Sequence, residues 1–88
     1  MTATAENIVS QFKSILQKLY GERLAKVILF GSYARGEEKE TSDIDFLVVL
    51  KDKKISTFSE IEKMNSLSYD IMLKYGKVIS FFVNHFII

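Results

Sequence analysis

Residues 31–49 read GSYARGEEKETSDIDFLVV and hold the most chemically specific side chains of the protein. The apolar run Lys26–Phe30 precedes the Gly-Ser pair, and a second run, Asp43–Leu50, begins with two aspartates placed two residues apart. Both runs are too short for a helix and rich in branched side chains, so each predicts a β-strand. Because Lys26–Phe30 is apolar after its first residue, we expect both of its faces to be covered.

The paired aspartates predict a metal site. Side chains alternate between the two faces of a strand, so Asp43 and Asp45 share a face, ~6.6 Å apart along the strand, while Ile44 faces the core. Two such carboxylates raise each other's pKa unless a cation lies between them. Mg²⁺ favours carboxylate and phosphate oxygens, and two ions ~4 Å apart can hold the attacking and leaving oxygens of a phosphoryl transfer. The alternative is that both carboxylates are merely solvated.

The Gly-Ser pair predicts an anion site beside these carboxylates. Gly31 has no Cβ, so its backbone permits a close approach. We expect Ser32 to begin a short helical turn that runs to Arg35 and is closed by Gly36, and the free N–H groups of such a start bind phosphate. Arg35 would add a charge-assisted contact. The alternative is an ordinary connection in which Gly and Ser serve only turn geometry.

The segment before the first strand predicts an amphipathic helix over Ala5–Tyr20. Its apolar residues recur at spacings of three and four, which places them on one helical face. Thr4 is the expected N-cap, and Gly21 is expected to end the helix.

The segment after the second strand predicts another helix and a third strand. Residues 57–60 (TFSE) fit a capping box formed by Thr57 and Glu60. The helix is expected to end at Gly76, and Val78–Val83 predicts the strand. Its expected buried stripe comprises Ile61, Met64, Leu67 or Ser68, Ile71, Met72 and Tyr75.

The order of elements is therefore helix, strand, short helical turn, strand, helix, strand. This order predicts a single domain over residues 1–88 with an α+β fold, a two-layer α/β arrangement in which helices cover a small mixed sheet of at least three strands. The 88 residues are 48% hydrophobic and 26% charged, as expected of one small folded domain.

Composition excludes several classes of function. The net charge is +1 and the longest basic run is KDKK at 51–54, so direct nucleic-acid binding is not expected. The absence of cysteine excludes disulfides and thiolate metal sites. The start MTATAENIVSQF does not resemble a leader, and no apolar stretch reaches the ~20 residues of a membrane span. We therefore expect a soluble, cytoplasmic domain.

The motif as a whole, Gly-Ser-x-x-Arg-Gly, a polar spacer, Ser-Asp-x-Asp and an apolar strand, resembles the signature of the polymerase-beta-like nucleotidyltransferase superfamily. More narrowly, it is similar to the minimal nucleotidyltransferase (MNT) domains of prokaryotes, and the order of elements agrees with that fold. The matching positions are Gly31, Ser32, Arg35, Gly36, Ser42, Asp43, Asp45 and the strand FLVV.

This resemblance implies Mg²⁺-dependent transfer of a nucleoside monophosphate from ATP or another nucleoside triphosphate to an acceptor hydroxyl. It implies that Asp43 and Asp45 are catalytic and hold one or two Mg²⁺ ions. The nucleotide-binding positions that it implies are Gly31, Ser32, Arg35 and Ser42. Many MNT domains are paired with a helical HEPN protein, a ribonuclease-type toxin, and act as its antitoxin, so the implied acceptor is a protein tyrosine of such a partner.

The sequence departs from the family pattern at the third acidic residue that active members usually carry on the neighbouring strand. That strand, KVISFFVNHF, contains no Asp or Glu, and Ser80 stands at the expected position. Asp70 and His85 are the other candidates, although each also fits an incidental role. The departure favours an alternative function, a catalytically weak or inactive antitoxin that neutralises its partner by contact.

The last residues, FFVNHFII (81–88), predict apolar surface near the end of the chain. This segment indicates either an interface, for a homodimer or another partner, or an additional edge strand formed by residues 86–88. A chain this short is expected to take its acceptor-binding surface from a partner or from a second copy.

Overall fold

The computed structural model of the chain describes residues 1–52 and 56–85. The elements in order are α1 (Ala3–Tyr20), a 3₁₀ turn (Gly21–Arg23), β1 (Leu24–Phe30), α2 (Gly31–Arg35), β2 (Ile44–Leu50), α3 (Thr57–Tyr75) and β3 (Ile79–His85). The predicted order and the α+β class are confirmed. The strands form one mixed sheet in the order β1-β2-β3, with β1 antiparallel and β3 parallel to β2.

The connections explain this topology. Antiparallel β1 and β2 are joined by the short helix α2 and a loop, whereas parallel β2 and β3 need a crossover, which α3 supplies. As a result, Asp45 lies in the central strand with Phe30 of β1 on one side and Ser80 of β3 on the other.

One face of the sheet packs against both long helices. Ile44, Phe46, Val48 and Leu50 are fully buried on this covered face. The Phe12 ring of α1 lies 4.6 Å from the Phe46 ring, measured between centroids. Burying each large apolar side chain contributes roughly 1.5–3 kcal/mol, so this alternation fixes which face of β2 is inward.

The other face of the sheet, termed the open face, carries the second set of alternating residues. Register places them in three rows across the strands: Phe30–Asp45–Ser80, Ile28–Leu47–Phe82 and Lys26–Val49–Asn84. Ile28 is 41% exposed and Phe82 59% exposed. The expectation that both faces of β1 are covered is therefore wrong, because within residues 1–52 and 56–85 both long helices pack on one side.

The first helix begins earlier than expected. Thr2 rather than Thr4 is the N-cap, and its Oγ1 accepts a hydrogen bond from the Ala5 N–H at 3.1 Å. Thr4 is already helical, so its backbone cannot take the extended conformation of a cap. Gly21, with φ +54°, ends the helix as predicted.

The cap of α3 also differs from the prediction. Ser56 is the N-cap, and its Oγ accepts from the Ser59 N–H at 3.4 Å. The predicted capping box is wrong because the Glu60 side chain is buried and accepts a hydrogen bond from Tyr20 at 3.2 Å. A long-range contact thus replaces the local cap contact of Glu60. Gly76 ends the helix as predicted, with φ +65°.

The remaining differences concern boundaries. β1 starts two residues before the predicted Lys26, β2 starts one residue after Asp43, and β3 runs over Ile79–His85 rather than Val78–Val83. In α3, Ser68 is buried while Leu67 is 43% exposed, which resolves the open choice between them. The two interpretations of residues 86–88, and half of the KDKK segment, lie outside the described residues. Within the described part of the chain, no helix combines the length and apolarity needed to cross a bilayer.

Candidate nucleotide and metal site

The start of α2 lies beside Asp45. Phe30, the last residue of β1, pairs with Asp45, and α2 begins at the next residue, Gly31. The turn from strand to helix requires φ +75° at Gly31, a conformation that residues with a Cβ avoid. Gly36, with φ +70°, closes the five-residue helix in the left-handed conformation, as the sequence predicts.

Gly31 is in direct contact with the Asp45 carboxylate. A Cβ built on Gly31 would overlap Oδ2 of Asp45 and would lie 3.2 Å from its Cγ. The sequence predicts a close approach at Gly31, and the structure places an aspartate there. The carboxylate therefore lies against the backbone from which α2 begins.

The two aspartates lie close enough to interact electrostatically. Burial raises the pKa of Asp45, the negative charge of Asp43 raises this pKa further, and the Arg35 guanidinium lowers it. Asp43 is exposed at the last position before β2, and Asp45 is half-buried within the strand. A carboxylate pair in which the charge of Asp43 disfavours ionised Asp45 suits a hard divalent cation with oxygen ligands, so the residues present fit Mg²⁺.

Two predicted nucleotide-binding residues have other partners. Nε of Arg35 lies 3.5 Å from Oε2 of Glu37, and both side chains are well exposed. Oγ of Ser42 accepts a hydrogen bond from the Lys39 N–H at 2.9 Å, which closes a turn just before Asp43. The structure thus brings Gly31 and the aspartates together, places Ser32 in the first turn of α2, and engages Ser42 in the loop.

The three candidates for the missing carboxylate lie in different places. Ser80 pairs with Asp45 on the open face, which is the position that the sequence predicts for it. His85 pairs with Leu50 at the opposite end of the sheet and on the covered face, and Asp70 is exposed on α3. No group of three potential metal-binding side chains exists among residues 1–52 and 56–85. Of the three candidates, Ser80 alone adjoins Asp45.

Two structural features of the site are absent from the sequence prediction. Nζ of Lys77 donates to the Glu40 carbonyl at 2.6 Å and so anchors the loop that leads to Asp43. The rings of Phe30 and Phe82 also meet across β2, with centroids 5.9 Å apart. The alternation of both strands signals that these rings share a face, but their contact depends on a register that no local pattern contains.

Comparison with known proteins identifies the family of the chain. The family model of the nucleotidyltransferase domain matches residues 9–87. The chain belongs to this family. No solved structure gives a significant match to it.

Two curated relatives of this nucleotidyltransferase domain are named as adenylyltransferases. "Putative protein adenylyltransferase MJ0141" of Methanocaldococcus jannaschii is 38% identical over 73 residues, which span 83% of this chain and 72% of the relative. "Protein adenylyltransferase MntA" of Thermococcus cleftensis is 35% identical over 74 residues, which span 78% of this chain and 73% of the relative. The family and these names support nucleotidyl transfer as the class of activity.

Proposed function

We propose that residues 1–88 form a minimal nucleotidyltransferase that transfers a nucleoside monophosphate from ATP or another nucleoside triphosphate to a protein hydroxyl. The observation that carries this proposal is the contact between Gly31 and the Asp45 carboxylate. It joins the backbone at the start of α2, suited to phosphate, to a carboxylate pair suited to Mg²⁺. The names of the relatives favour AMP as the transferred group.

In the proposed reaction, the acceptor oxygen forms a bond to the α-phosphorus while the bond from that phosphorus to the bridging oxygen of the β-phosphate breaks. Pyrophosphate leaves, and the hydroxyl proton passes to solvent or to a base of the acceptor protein. Gly31 and Ser32 would position the triphosphate, and Asp43 and Asp45 would hold the metal. A bound Mg²⁺ would neutralise charge that develops on the phosphoryl oxygens.

The acceptor in this proposal is a tyrosine of a HEPN-type partner, as the resemblance to MNT domains implies. Transfer can be tested with ATP labelled in the α-phosphate, Mg²⁺ and a candidate HEPN-type partner protein. Label is expected on the partner with the wild-type chain and absent with Asp43→Ala/Asp45→Ala. Asp70→Asn, which removes an exposed carboxylate elsewhere, is expected to leave transfer unchanged. Transfer by the double variant at the wild-type rate would contradict the proposal.

A second function is favoured by one observation: Ser80, not a carboxylate, stands beside Asp45. A site with two carboxylates binds metal more weakly, so the chain would then act as an antitoxin that covers its partner, alone or as a homodimer. Absence of label on the partner, together with partner binding that the double variant retains, would support this function.

Restoring the third carboxylate tests how far the site is from full activity. Ser80→Asp places an acidic group in the row of Asp45 and is expected to raise the rate of label transfer and the affinity for Mg²⁺. Asn84→Asp, on the same face two rows away, is the matched control and is expected to change neither. Equal transfer rates for Ser80→Asp and wild type would show that the missing third carboxylate does not limit the activity.

A further inference from the structure

The open face carries an aromatic pair directly beside the carboxylates. Phe30 precedes Gly31 and shares a row with Asp45, while Phe82 stands in the next row. Their ring planes are tilted by 39° and their centroids are 5.9 Å apart, so the rings meet above β2 although they belong to β1 and β3. Phe82 remains 59% exposed. An exposed ring in contact with a second ring is a ready surface for a flat apolar group.

The site geometry sets the direction of the reaction relative to the strands. In a phosphoryl-type displacement, the attacking and leaving oxygens lie roughly in line on opposite sides of the phosphorus. The start of α2 flanks β2 on the β1 side, and Ser80 flanks it on the β3 side. With pyrophosphate held at Gly31 and Ser32, the line of attack therefore runs across the strands.

The nucleoside stays bonded to the same phosphorus and projects from it at a steep angle to the line of attack. It therefore extends either along the strands or away from the sheet. In one direction along β2, the chain turns out of the sheet at Ser42 and Asp43. In the other direction, the next row of the open face lies ~6.6 Å away and contains Leu47 and Phe82. A ribose spans the distance between these two rows, so the base attached to that ribose reaches the aromatic pair.

We propose that Phe30 and Phe82 form a stacking subsite for the base of the nucleoside triphosphate. The subsite rests on the proposed function, because the proposed position of the phosphates sets its distance from the carboxylates. The residues that share the row of Phe82, Ile28 and Leu47, have no hydrogen-bonding side chains, so stacking supplies the recognition of the base. The subsite therefore accepts adenine and guanine alike and binds the smaller pyrimidines more weakly.

Calorimetric titration tests this subsite without any turnover. The probes are the α,β-methylene analogues of ATP, GTP, CTP and UTP and inorganic tripolyphosphate, each with Mg²⁺. Wild type is expected to bind the purine analogues more tightly than tripolyphosphate. Phe82→Ala is expected to weaken binding of the ATP analogue about tenfold, as loss of one base–aromatic stack does, and to leave tripolyphosphate unaffected. Phe58→Ala removes a still more exposed ring, from α3, and is expected to change neither affinity.

The possible outcomes separate the subsite from the site that it adjoins. Equal binding of tripolyphosphate and the ATP analogue by wild type, or an unchanged ATP-analogue affinity in Phe82→Ala, overturns the stacking subsite and leaves the phosphate site standing. Loss of transfer in Phe82→Ala with unchanged nucleotide affinity assigns the ring to the acceptor and also overturns the subsite. Binding of neither probe by wild type contradicts the proposed phosphate site, and the stacking subsite with it.

Discussion

The two ends of the central strand β2 differ in whether their carboxylates are paired with cations. Beyond Leu50 lies a cluster of polar groups that contact one another, termed the paired cluster, formed by Tyr20, Arg23, Asp52, Glu60 and Lys63. Arg23 Nη2 lies 2.8 Å from Asp52 Oδ2, and Lys63 Nζ lies 3.3 Å from Glu60 Oε1. Tyr20 donates to the same Glu60 oxygen at 3.2 Å. Each carboxylate of this cluster has a cation beside it.

At the other end of β2, the two acidic side chains Asp43 and Asp45 lie close enough to repel each other. Within residues 1–52 and 56–85, neither carboxylate forms an ion pair, since the nearby Arg35 pairs with Glu37. The charge of Asp43 raises the pKa of Asp45, whereas the hydrogen bond from Arg23 lowers the pKa of Asp52. The comparison indicates that one end of β2 stabilises the fold, whereas the other brings two carboxylates together at a cost in stability, as the proposed cation site requires.

Replacement of Asp45 should have the largest effect on activity and no cost in stability. Asp45→Asn removes one of the two carboxylates proposed to bind metal, so the rate of nucleotidyl transfer should fall about 100-fold or more. The folded-state pKa of Asp45 lies above its unfolded value, so ionised Asp45 destabilises the fold at pH 7. In EDTA, the melting temperature at pH 7 should therefore rise or stay constant in Asp45→Asn. A lower melting temperature would show that this carboxylate is structural, like those of the paired cluster.

Gly31→Ala should damage both stability and activity. The substitution forces φ +75° on a residue with a Cβ and drives that atom into the Asp45 carboxylate. We expect a loss of about 2–3 kcal/mol in the free energy of unfolding, measured in urea, together with loss of transfer.

Gly36→Ala is the matched control for Gly31→Ala. Gly36 has a similar φ of +70°, and nothing lies within 4 Å of a Cβ added to it. The substitution should lower the free energy of unfolding by about 1 kcal/mol, for the unfavourable backbone conformation alone, and should retain transfer. Equal losses in the two variants would mean that the contact with Asp45 contributes nothing.

The contrast between the two ends also explains what the sequence could predict. The carboxylate site depends on local rules: alternation puts Asp43 and Asp45 on one face, and a glycine at φ +75° permits the sharp turn into α2. These rules need only residues 31–49. In the structure Gly31 takes the expected conformation beside Asp45, while Asp43 lies just before β2. The position of Ser80 beside Asp45 is expected from the family resemblance, since no local pattern contains the register of β3.

The paired cluster was not predicted, because it depends on contacts between distant parts of the chain. Glu60 fits a local capping box, but burial of its side chain beside Tyr20, forty residues away, overrides that preference. The covering of β1 was mispredicted for a related reason. An apolar strand does not reveal how many helices pack on it, and Ile28 remains 41% exposed.

Glu60→Gln should lower stability without lowering activity. The side chain keeps its shape but loses the charge that holds Lys63 and Arg23, so the free energy of unfolding should fall by about 1–2 kcal/mol. Glu62→Gln, an exposed change in the same helix, should cost less than about 0.5 kcal/mol. Transfer by the folded Glu60→Gln protein should match wild type. A loss of transfer would couple the two ends of β2 and break the comparison.

Tyr20→Phe should have the smallest effect, visible mainly as a change in pH dependence. Burial, followed by the charge and hydrogen bond of Glu60, raises the pKa of Tyr20 above its ordinary value, against a smaller lowering by Arg23. As pH rises above about 10, the unfolded chain ionises this hydroxyl before the folded chain does, so stability is lost with rising pH.

At pH 7, Tyr20→Phe should cost about 1 kcal/mol for the lost hydrogen bond. The stability difference between wild type and Tyr20→Phe, measured in urea from pH 8 to pH 11, should be constant at first and shrink above pH 10. Tyr69→Phe, at a 58% exposed ring, should show no such change. A constant difference for Tyr20→Phe across this range would mean that the hydroxyl ionises as freely in the folded chain, and that the paired cluster does not hold it.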